Sequence, residues 1–313
     1  MTKQSKNRDC FARNGRKFMI HIVTALMHEA KPLIDFYHLK PIQTHPYKIY
    51  QNENFSLIVS GVGKKQSATA TAHLHEYTGK IRNRTWLNIG IGGHSKENLG
   101  EGVLAHKITD QANGKSWYPP RILKIACPSK SILTVEKVEL NYDGDFVYDM
   151  EAAGFYETAS RFSTQELIHS FKIISDNSNI SAQKVSGSLV RDLVAQNLNL
   201  IDSIVKELSK LSDELIDLNR NPEALDQFLK QWHFTVTESH RLKQLLNRLK
   251  TLEPNENWFA NFMSLRGGRR LTKQSRSEIA SASLESQPRN DKFDAKKILK
   301  FLERQIETLP VYL

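Results

Sequence analysis

Apolar residues in the first half of the chain form short, nearly continuous runs that alternate with segments of helical spacing. The runs are rich in β-branched residues, which is typical of strands covered on both faces. Eight strands are predicted, at Met19–Ala25, Tyr47–Gln51, Phe55–Ser60, Thr85–Ile91, Gly102–Thr109, Ile132–Val135, Phe146–Met150 and Phe171–Ser175. Between strands, Ser67–Tyr77 and Glu151–Phe162 are predicted to be crossover helices. This alternation indicates an α/β domain.

After Asp176 the strand pattern stops and helical periodicity takes over. Apolar residues from Ile201 to Leu215 recur at intervals of three, four and seven. This spacing places them on one face of a helix, so we predict a single long amphipathic helix from about Val190 to Leu218.

A helical extension follows this long helix. Asn221 and Pro222 supply an N-cap and a first helical position for a new helix. Two further apolar stripes, Leu242–Leu252 and Phe293–Ile306, predict more helices, and the Gly/Ser/Arg-rich stretch Leu265–Asn290 between them is predicted to be mobile. We expect the new helices to dock on the long helix of the α/β domain.

These patterns divide the chain into three parts. Residues 1–17 are predicted to be a flexible basic tail, residues 18–219 an α/β domain, and residues 220–313 a mainly helical basic extension. The 313 residues carry a formal charge of +10, and the segment from Arg220 to Leu313 holds 17 basic and 11 acidic residues. Such a surplus can attract phosphate groups. A solvated surface is the simpler interpretation, and nucleic-acid binding is the minor alternative.

Composition narrows the class of protein. Hydrophobic residues make up 39% and charged residues 25%, which is ordinary for a globular protein, and no stretch approaches the ~20 apolar residues of a membrane span. The short apolar run after the basic tail is interrupted by histidines, so no secretion signal is predicted. Cys10 and Cys127 cannot build a disulfide framework, and no spacing of ligands suits a metal. We therefore expect a cytoplasmic protein without metal, cofactor or membrane partner.

Three acidic residues stand at the ends of predicted strands. They are Glu29 after the first strand, Glu151 after the seventh and Asp176 after the eighth. Each one alone is explained as a helix-start charge or a solvated loop residue. Because ligands of open α/β sheets bind at the carboxyl ends of strands, the three together predict one pocket.

Five short motifs surround these acids in a fixed order. They are Thr24–Ala30 (TALMHEA), Ser60–Lys64 (SGVGK), Asn88–Gly93 (NIGIGG), Tyr148–Gly154 (YDMEAAG) and Ile174–Asp176 (ISD). In this order and spacing, the motifs resemble the nucleoside phosphorylase/nucleosidase family, in particular the methylthioadenosine/S-adenosylhomocysteine nucleosidases and futalosine hydrolases. The resemblance spans about Met19 to Leu211. It implies a three-layer αβα phosphorylase/hydrolase-like domain with a central mixed sheet.

The resemblance also implies roles for individual residues. Asp176 matches the general acid that protonates N7 of the base, and Glu29 matches the residue that positions or deprotonates the attacking water. Glu151 matches the acceptor of hydrogen bonds from the ribose hydroxyls, with Met150 packed under the sugar. The predicted substrate-binding set is completed by Ser175, Gly92, Thr134 and Val135. Because glycosidic cleavage builds negative charge on the base and positive charge on the sugar, the carboxyl of Asp176 must hold its proton until transfer.

Two departures from the phosphorolytic relatives favour water as the nucleophile. The first turn, Ala25-Leu26-Met27, contains no glycine, and Ile91 stands where those relatives carry a serine that holds phosphate. An isoleucine side chain offers no hydrogen bond, so we expect a purine nucleosidase that hydrolyses the N-glycosidic bond of a small-molecule nucleoside.

Other possibilities stay open at this point. The chain could be a phosphorolytic nucleoside phosphorylase, or a catalytically inactive nucleoside- or nucleic-acid-binding protein of the same fold. The resemblance further implies a homodimer, in which one subunit helps to close the pocket of its neighbour.

Overall fold

The computed structural model describes residues 19–219, 222–252 and 295–308. By internal contacts the chain divides into two compact units, Met1–Asp217 and Leu218–Leu313. Within the described ranges, no helix is long and apolar enough to cross a membrane. The predicted basic tail, residues 1–17, and the predicted mobile stretch, Leu265–Asn290, lie outside the described residues.

Ten strands and five helices build the described part of the first unit. The strands are β1 (Ile20–Thr24), β2 (Lys40–Gln43), β3 (Lys48–Gln51), β4 (Phe55–Val59), β5 (Thr85–Gly93), β6 (Gly102–Asp110), β7 (Ser116–Trp117), β8 (Ser129–Thr134), β9 (Val147–Asp149) and β10 (Ile168–Asp176). The helices are α1 (Met27–Phe36), α2 (Lys64–Tyr77), α3 (Ala152–Ala159), α4 (Gly187–Gln196) and α5 (Leu198–Asn219). The eight predicted strands are all present, and β2 and β7 are additional.

The strands form one mixed sheet that closes on itself at one side. β4, β1, β5 and β10 lie next to one another and run parallel, and β3 and β2 extend the β4 edge in antiparallel fashion. β10 also pairs with β6, β6 with β8, and β8 with β9. β9 returns to β5 through the antiparallel pair of Gly93 and Tyr148. Strands β5, β9, β8, β6 and β10 therefore form a closed ring.

Helices cover both faces of the sheet. Successive residues of a strand point to opposite faces, so two adjacent apolar residues enter two different cores. Ile22 of β1 belongs to a core with Leu33 of α1 and Ile201 of α5, whereas Val23 belongs to a core with Ala70 of α2 and Phe155 of α3. This arrangement confirms the predicted three-layer αβα architecture with a central mixed sheet.

One predicted helix is in fact two. The pattern predicted a continuous helix from about Val190 to Leu218, but α4 and α5 meet at Asn197. The side-chain amide of Asn197 donates to the carbonyl oxygens of Leu193 at 3.0 Å and of Gly100 at 2.9 Å. These hydrogen bonds hold the end of α4 against the segment before β6. The single-helix prediction was wrong because the apolar periodicity continues on both sides of Asn197.

The second unit has three helices within its described residues, α6 (Glu223–Gln231), α7 (Val236–Leu252) and α8 (Ala295–Thr308). Pro222 is the N-cap of α6 and not its first helical residue, so the helix begins one residue later than predicted; Asn221 lies outside the described residues. The predicted apolar stripes are buried in a core whose fully buried members are Phe228, Leu242, Leu246, Leu249, Ile298 and Leu302. The docking of these helices on the first unit stays a prediction.

Two buried histidines make the folded state sensitive to acid. Burial, and then the charges of Arg84 and His75, lower the pKa of His21 from 6.5 to about 3. Burial also lowers the pKa of His169 from 6.5 to about 4. The unfolded chain binds a proton on each imidazole as the pH falls through 6.5, whereas the folded chain keeps both neutral. These two groups therefore reduce stability as the pH drops from 6.5 toward the folded-state values.

We expect His21→Leu to weaken this dependence, because leucine keeps an apolar contact with Trp86 and cannot bind a proton. Below pH 6.5, the difference in free energy of unfolding should shift in favour of the variant by about 1.4 kcal/mol per pH unit. Urea unfolding at neutral and mildly acidic pH measures this shift. His240→Leu, at a solvent-exposed imidazole of α7, is the control. Parallel pH curves for His21→Leu and the wild type would contradict the expectation.

Candidate functional site

A cavity of about 300 Å³ lies where the carboxyl ends of β1, β5 and β10 meet β9. Seven of the eight predicted site residues line this cavity, namely Glu29, Gly92, Val135, Met150, Glu151, Ser175 and Asp176. The three acids thus come together from distant parts of the sequence. Glu151 does not follow a strand that is parallel to β1, β5 and β10. It follows β9, which runs antiparallel to β5 and pairs with the end of β5.

Glu29 is held in one orientation by main-chain donors. It lies in the first turn of α1 and is 2% exposed. Its Oε2 accepts hydrogen bonds from the N–H groups of Ala25 and Leu26, both at 2.8 Å, and its Oε1 accepts from Ile91 N–H at 3.0 Å. Burial raises the pKa of Glu29, and the positive charge of Lys172 and the three N–H donors counteract part of that rise. The carboxyl is therefore fixed in place and has a higher proton affinity than an exposed glutamate.

Lys172 places a positive charge behind the acids. It lies on β10, its side chain is fully buried, and its Nζ is 2.8 Å from Asp149 Oδ2 and 4.0 Å from Glu151 Oε2. Burial alone would lower the pKa of Lys172. The charges of Asp149, Glu151 and Glu29 outweigh that effect and raise the pKa, so the side chain is a cation. Three buried carboxyls thus share one buried ammonium group.

Asp149 connects this ammonium group to the start of α3. Its Oδ2 accepts from the N–H groups of Glu151 at 3.2 Å and Ala152 at 2.7 Å, in addition to the contact with Lys172. Its Oδ1 accepts from the hydroxyl of Thr134 at 2.7 Å. The carboxylate therefore fixes the helix start that carries Glu151.

Glu151 lines the cavity and has a raised pKa. Its Oε1 accepts from Gly63 N–H, at the start of α2, at 2.8 Å. Burial raises the pKa of Glu151 to about 7, with further rises from Asp149 and Glu29 and a partial reduction from Lys172. At neutral pH, the group can accept a hydrogen bond from a hydroxyl in its ionised form and donate one in its protonated form.

Asp176 stands at the end of β10 and is 6% exposed. Its Oδ1 accepts from the hydroxyl of the adjacent Ser175, and its Oδ2 accepts from the hydroxyl of Tyr142. The carboxyl group is therefore oriented by two hydroxyl groups while it lines the cavity.

Thr134 stands behind the cavity instead of lining it. It is 1% exposed, its hydroxyl donates to Asp149, and the same hydroxyl accepts from Ala153 N–H at 3.0 Å. Both hydrogen-bonding directions of the hydroxyl are thus used within the protein. The hydroxyl of Thr134 therefore supports Asp149 and α3, Val135 lines the wall of the cavity, and a part for Thr134 in substrate binding stays a prediction.

Two glycines of the NIGIGG motif make room at the crossing of strands. A Cβ on Gly92 would lie 2.6 Å from Val147 Cγ1, closer than real Cβ atoms approach. A Cβ on Gly93 would lie 2.5 Å from Tyr142 Cε1. The two positions therefore allow β9 and Tyr142 to reach the end of β5.

A second cluster of potential metal ligands lies where the loop after β5 meets the segment before β9. His94, Glu97 and Asp145 bring donor atoms within 4.8 Å of one another. The Nζ of Lys130 is 2.5 Å from Glu97 Oε1 and 3.4 Å from Asp145 Oδ1, and His94 Nδ1 accepts from the N–H groups of Lys96 and Glu97. The positive charge that the two carboxylates require is thus supplied by Lys130.

The charged residues that line the cavity are mainly acidic. Among its described lining residues are five acids, Glu29, Glu139, Asp149, Glu151 and Asp176, and neither a lysine nor an arginine. The N–H groups of Ala25 and Leu26, which lie where an anion could bind at the first turn, are already used by Glu29. This environment is unfavourable for a phosphate dianion and suitable for a neutral molecule with hydroxyl groups.

Sequence reasoning missed Lys172 and Tyr142. A signal for Lys172 was available, since a lone lysine interrupts a strand whose other residues are buried. A lysine is almost never fully buried unless it is paired, so its partners had to be acids. Tyr142 gave no such signal, because it lies in a loop and its position depends on the backbone between β8 and β9.

The arrangement defines an α/β protein with a carboxylate-lined site at the carboxyl ends of parallel strands. No family model matches the sequence, and no curated protein matches it. Solved structures do match, over about three fifths of this chain and nearly the whole of theirs.

Three of the similar structures are nucleosidases. 5′-Methylthioadenosine/S-adenosyl homocysteine nucleosidase from Helicobacter pylori matches with a TM-score of 0.52 and 14% identity, covering 61% of this chain and 98% of that chain. Futalosine hydrolase from Helicobacter pylori gives the same four values. The Streptococcus pneumoniae MTA/SAH nucleosidase, in complex with 8-aminoadenine, matches with a TM-score of 0.52 and 16% identity, covering 61% and 100%. The chain therefore has the fold of the nucleoside phosphorylase/nucleosidase family, as the resemblance implied.

Proposed function

We propose that the protein is a purine nucleosidase that hydrolyses the N-glycosidic bond of a nucleoside. The observation that carries this proposal is that Glu29 and Asp176 line one cavity. Glu151 lines the same cavity. The structural neighbours are nucleosidases, and one of them was solved with a purine base analogue. The proposed roles of the residues rest on the resemblance of the five motifs and stay predictions.

In the proposed reaction, Asp176 protonates the base and Glu29 takes a proton from water. The electron pair of the C1′–N bond moves to the base, which leaves with the proton of Asp176. Water adds to C1′, and its proton passes to Glu29. A carboxylate with a raised pKa is the better proton acceptor, so the burial of Glu29 suits this role. An acid and a base of this kind each contribute about 10²–10⁴ to a rate.

Glu151 and Met150 are proposed to hold the ribose. The carboxyl of Glu151 faces the cavity and is anchored by Gly63 N–H, which leaves its other oxygen for ribose hydroxyls. Met150 lines the same cavity and offers an apolar surface for the sugar ring. Binding of the ribose thus places C1′ between the base-side acid and the water-side base.

The proposal is tested by incubating the purified chain with adenine and hypoxanthine nucleosides and following the free base. Release of base supports a nucleosidase or a phosphorylase. Binding of a nucleoside without any release of base would instead support the alternative of a catalytically inactive binding protein.

We expect base release to be independent of phosphate. Among the described residues that line the cavity there is no lysine or arginine to bind an incoming phosphate, and Ile91 adds no hydrogen bond from its side chain. The rate should be the same in phosphate-free buffer and in millimolar phosphate, and the sugar product should be free ribose or its 5′ derivative. Strict dependence on phosphate, with a sugar 1-phosphate as product, would show a phosphorylase.

A further inference from the structure

Tyr142 touches the base-side acid although it belongs to none of the five motifs. The residue is 6% exposed and lines the cavity. Its hydroxyl donates to Oδ2 of Asp176, while the hydroxyl of Ser175 donates to Oδ1. Each oxygen of the acid therefore has a hydroxyl partner, one from its own strand and one from a distant loop.

The loop holds Tyr142 there in an uncommon backbone conformation. Its φ of 36° lies on the left-handed side that non-glycine residues rarely adopt. The ring packs against Tyr148 with a centroid separation of 5.7 Å, and the hydroxyl of Tyr148 accepts from Gly144 N–H at 3.0 Å. Such conformations persist only where the surroundings impose them, and they concentrate at functional sites.

The phenol of Tyr142 acts as a hydrogen-bond donor throughout the working pH range. Burial, and then the hydrogen bond and charge of Asp176, raise the pKa of Tyr142. The phenol therefore keeps its proton at neutral pH. A neutral phenol donates more strongly to a carboxylate than to a carboxylic acid, because a charged acceptor strengthens the bond.

We propose that Tyr142 is a positioning residue, whose hydroxyl orients Asp176 toward the base and stabilises the carboxylate that forms as Asp176 gives up its proton. This inference rests on the proposed function. In the proposed step, Asp176 starts as the proton donor, and the bond from Tyr142 to its neutral carboxyl group is the weaker one. In the transition state, the proton moves to the base, negative charge remains on Asp176, and the bond strengthens. An interaction that strengthens only at that point raises kcat without changing substrate binding.

The test is Tyr142→Phe, which keeps the ring and its packing and removes only the hydroxyl. With a purine nucleoside that the wild type cleaves, kcat should fall about 10- to 100-fold, with KM changed by no more than about 3-fold. Tyr156→Phe is the control, since the buried hydroxyl of Tyr156 has no hydrogen-bond partner among the described residues. Its kcat should equal that of the wild type.

A second substrate separates support of the acid from support of the fold. The leaving group of 4-nitrophenyl β-D-ribofuranoside departs without a proton. The activity of Asp176→Asn on this substrate therefore measures how far its cleavage still depends on the acid. On this substrate, Tyr142→Phe should lose no more activity than Asp176→Asn loses. Equal losses of Tyr142→Phe on both substrates would assign a structural role to the hydroxyl and overturn the inference.

The remaining outcomes distinguish a failure of the Tyr142 inference from a failure of the proposed function. An unchanged kcat for the purine nucleoside, or a lower KM because the phenol competes with the base, would overturn the inference and leave the nucleosidase proposal intact. Absence of base release by the wild type would overturn the proposed function, and the role of Tyr142 with it.

Discussion

Asp176→Asn should lower kcat for a purine nucleoside by about 10²–10⁴-fold, because asparagine keeps the shape of the side chain and has no proton to give. One of the two hydroxyls of Ser175 and Tyr142 can still donate to the amide oxygen, and the other can accept from the amide NH2 group, so the cavity should keep its shape. The expected change lies in kcat and not in KM, since the acid acts in the transition state. Steady-state kinetics with the cleaved nucleoside measure both constants.

Asp35→Asn is the matched control for this substitution. Asp35 lies on the exposed side of α1 and pairs with Lys31, four residues earlier. It is on the same helix as Glu29 but has no proposed role in the reaction. Its kinetics should equal those of the wild type. A loss of less than about 10-fold for Asp176→Asn would assign the proton to another group and contradict the proposed role.

Much of the fold followed from the pattern of the sequence, because buried strands and amphipathic helices have distinct periods. The eight predicted strands and both crossover helices are present, and adjacent residues such as Ile22 and Val23 enter opposite cores. The break at Asn197 was not predictable from periodicity. It arises from side-chain hydrogen bonds to Gly100, almost a hundred residues away in sequence.

The candidate site was predictable only where residues follow strand ends. Glu29, Glu151 and Asp176 do so, and the resemblance gave them expected roles. Thr134 follows the same rule, yet its hydroxyl turns to Asp149 and away from the cavity. The direction of a hydroxyl is fixed by its partners in three dimensions. The position of a residue at a strand end therefore predicts that it lies near the site, but not that its side chain contacts the substrate.

The buried charges explain why these acids can coexist in one cavity. Glu29, Asp149 and Glu151 would repel one another if all were ionised without compensation. Lys172 supplies one positive charge within this group. One cation cannot neutralise three carboxylates, and burial together with the charges of Asp149 and Glu29 raises the pKa of Glu151 to about 7. At neutral pH, Glu151 is therefore partly protonated, which reduces the repulsion among the three carboxyl groups.

Lys172→Met should therefore destabilise the protein strongly. Methionine fills a similar volume but leaves Asp149 as a buried charge without its cation, and loss of one partner of a buried pair costs about 3–5 kcal/mol. Urea unfolding at neutral pH measures the change in free energy. Lys115→Met is the control, because Lys115 pairs with Glu157 on the surface, at 2.7 Å, with both side chains substantially exposed. Its effect should stay within about 1 kcal/mol.

The deficit of Lys172→Met should shrink as the pH falls. Without the ammonium group, the pKa of Glu151 rises above its present value of about 7, so between that higher value and about pH 7 the folded variant binds a proton that the folded wild type does not yet bind. A group with a raised folded-state pKa adds stability as the pH is lowered toward the unfolded value. Asp149→Asn in the Lys172→Met background should restore part of the stability at neutral pH, because it removes the uncompensated charge while the amide oxygen still accepts from Ala152 N–H. If the deficit is the same at alkaline and neutral pH and Asp149→Asn does not reduce it, the destabilisation comes from packing and the proposed charge balance is wrong.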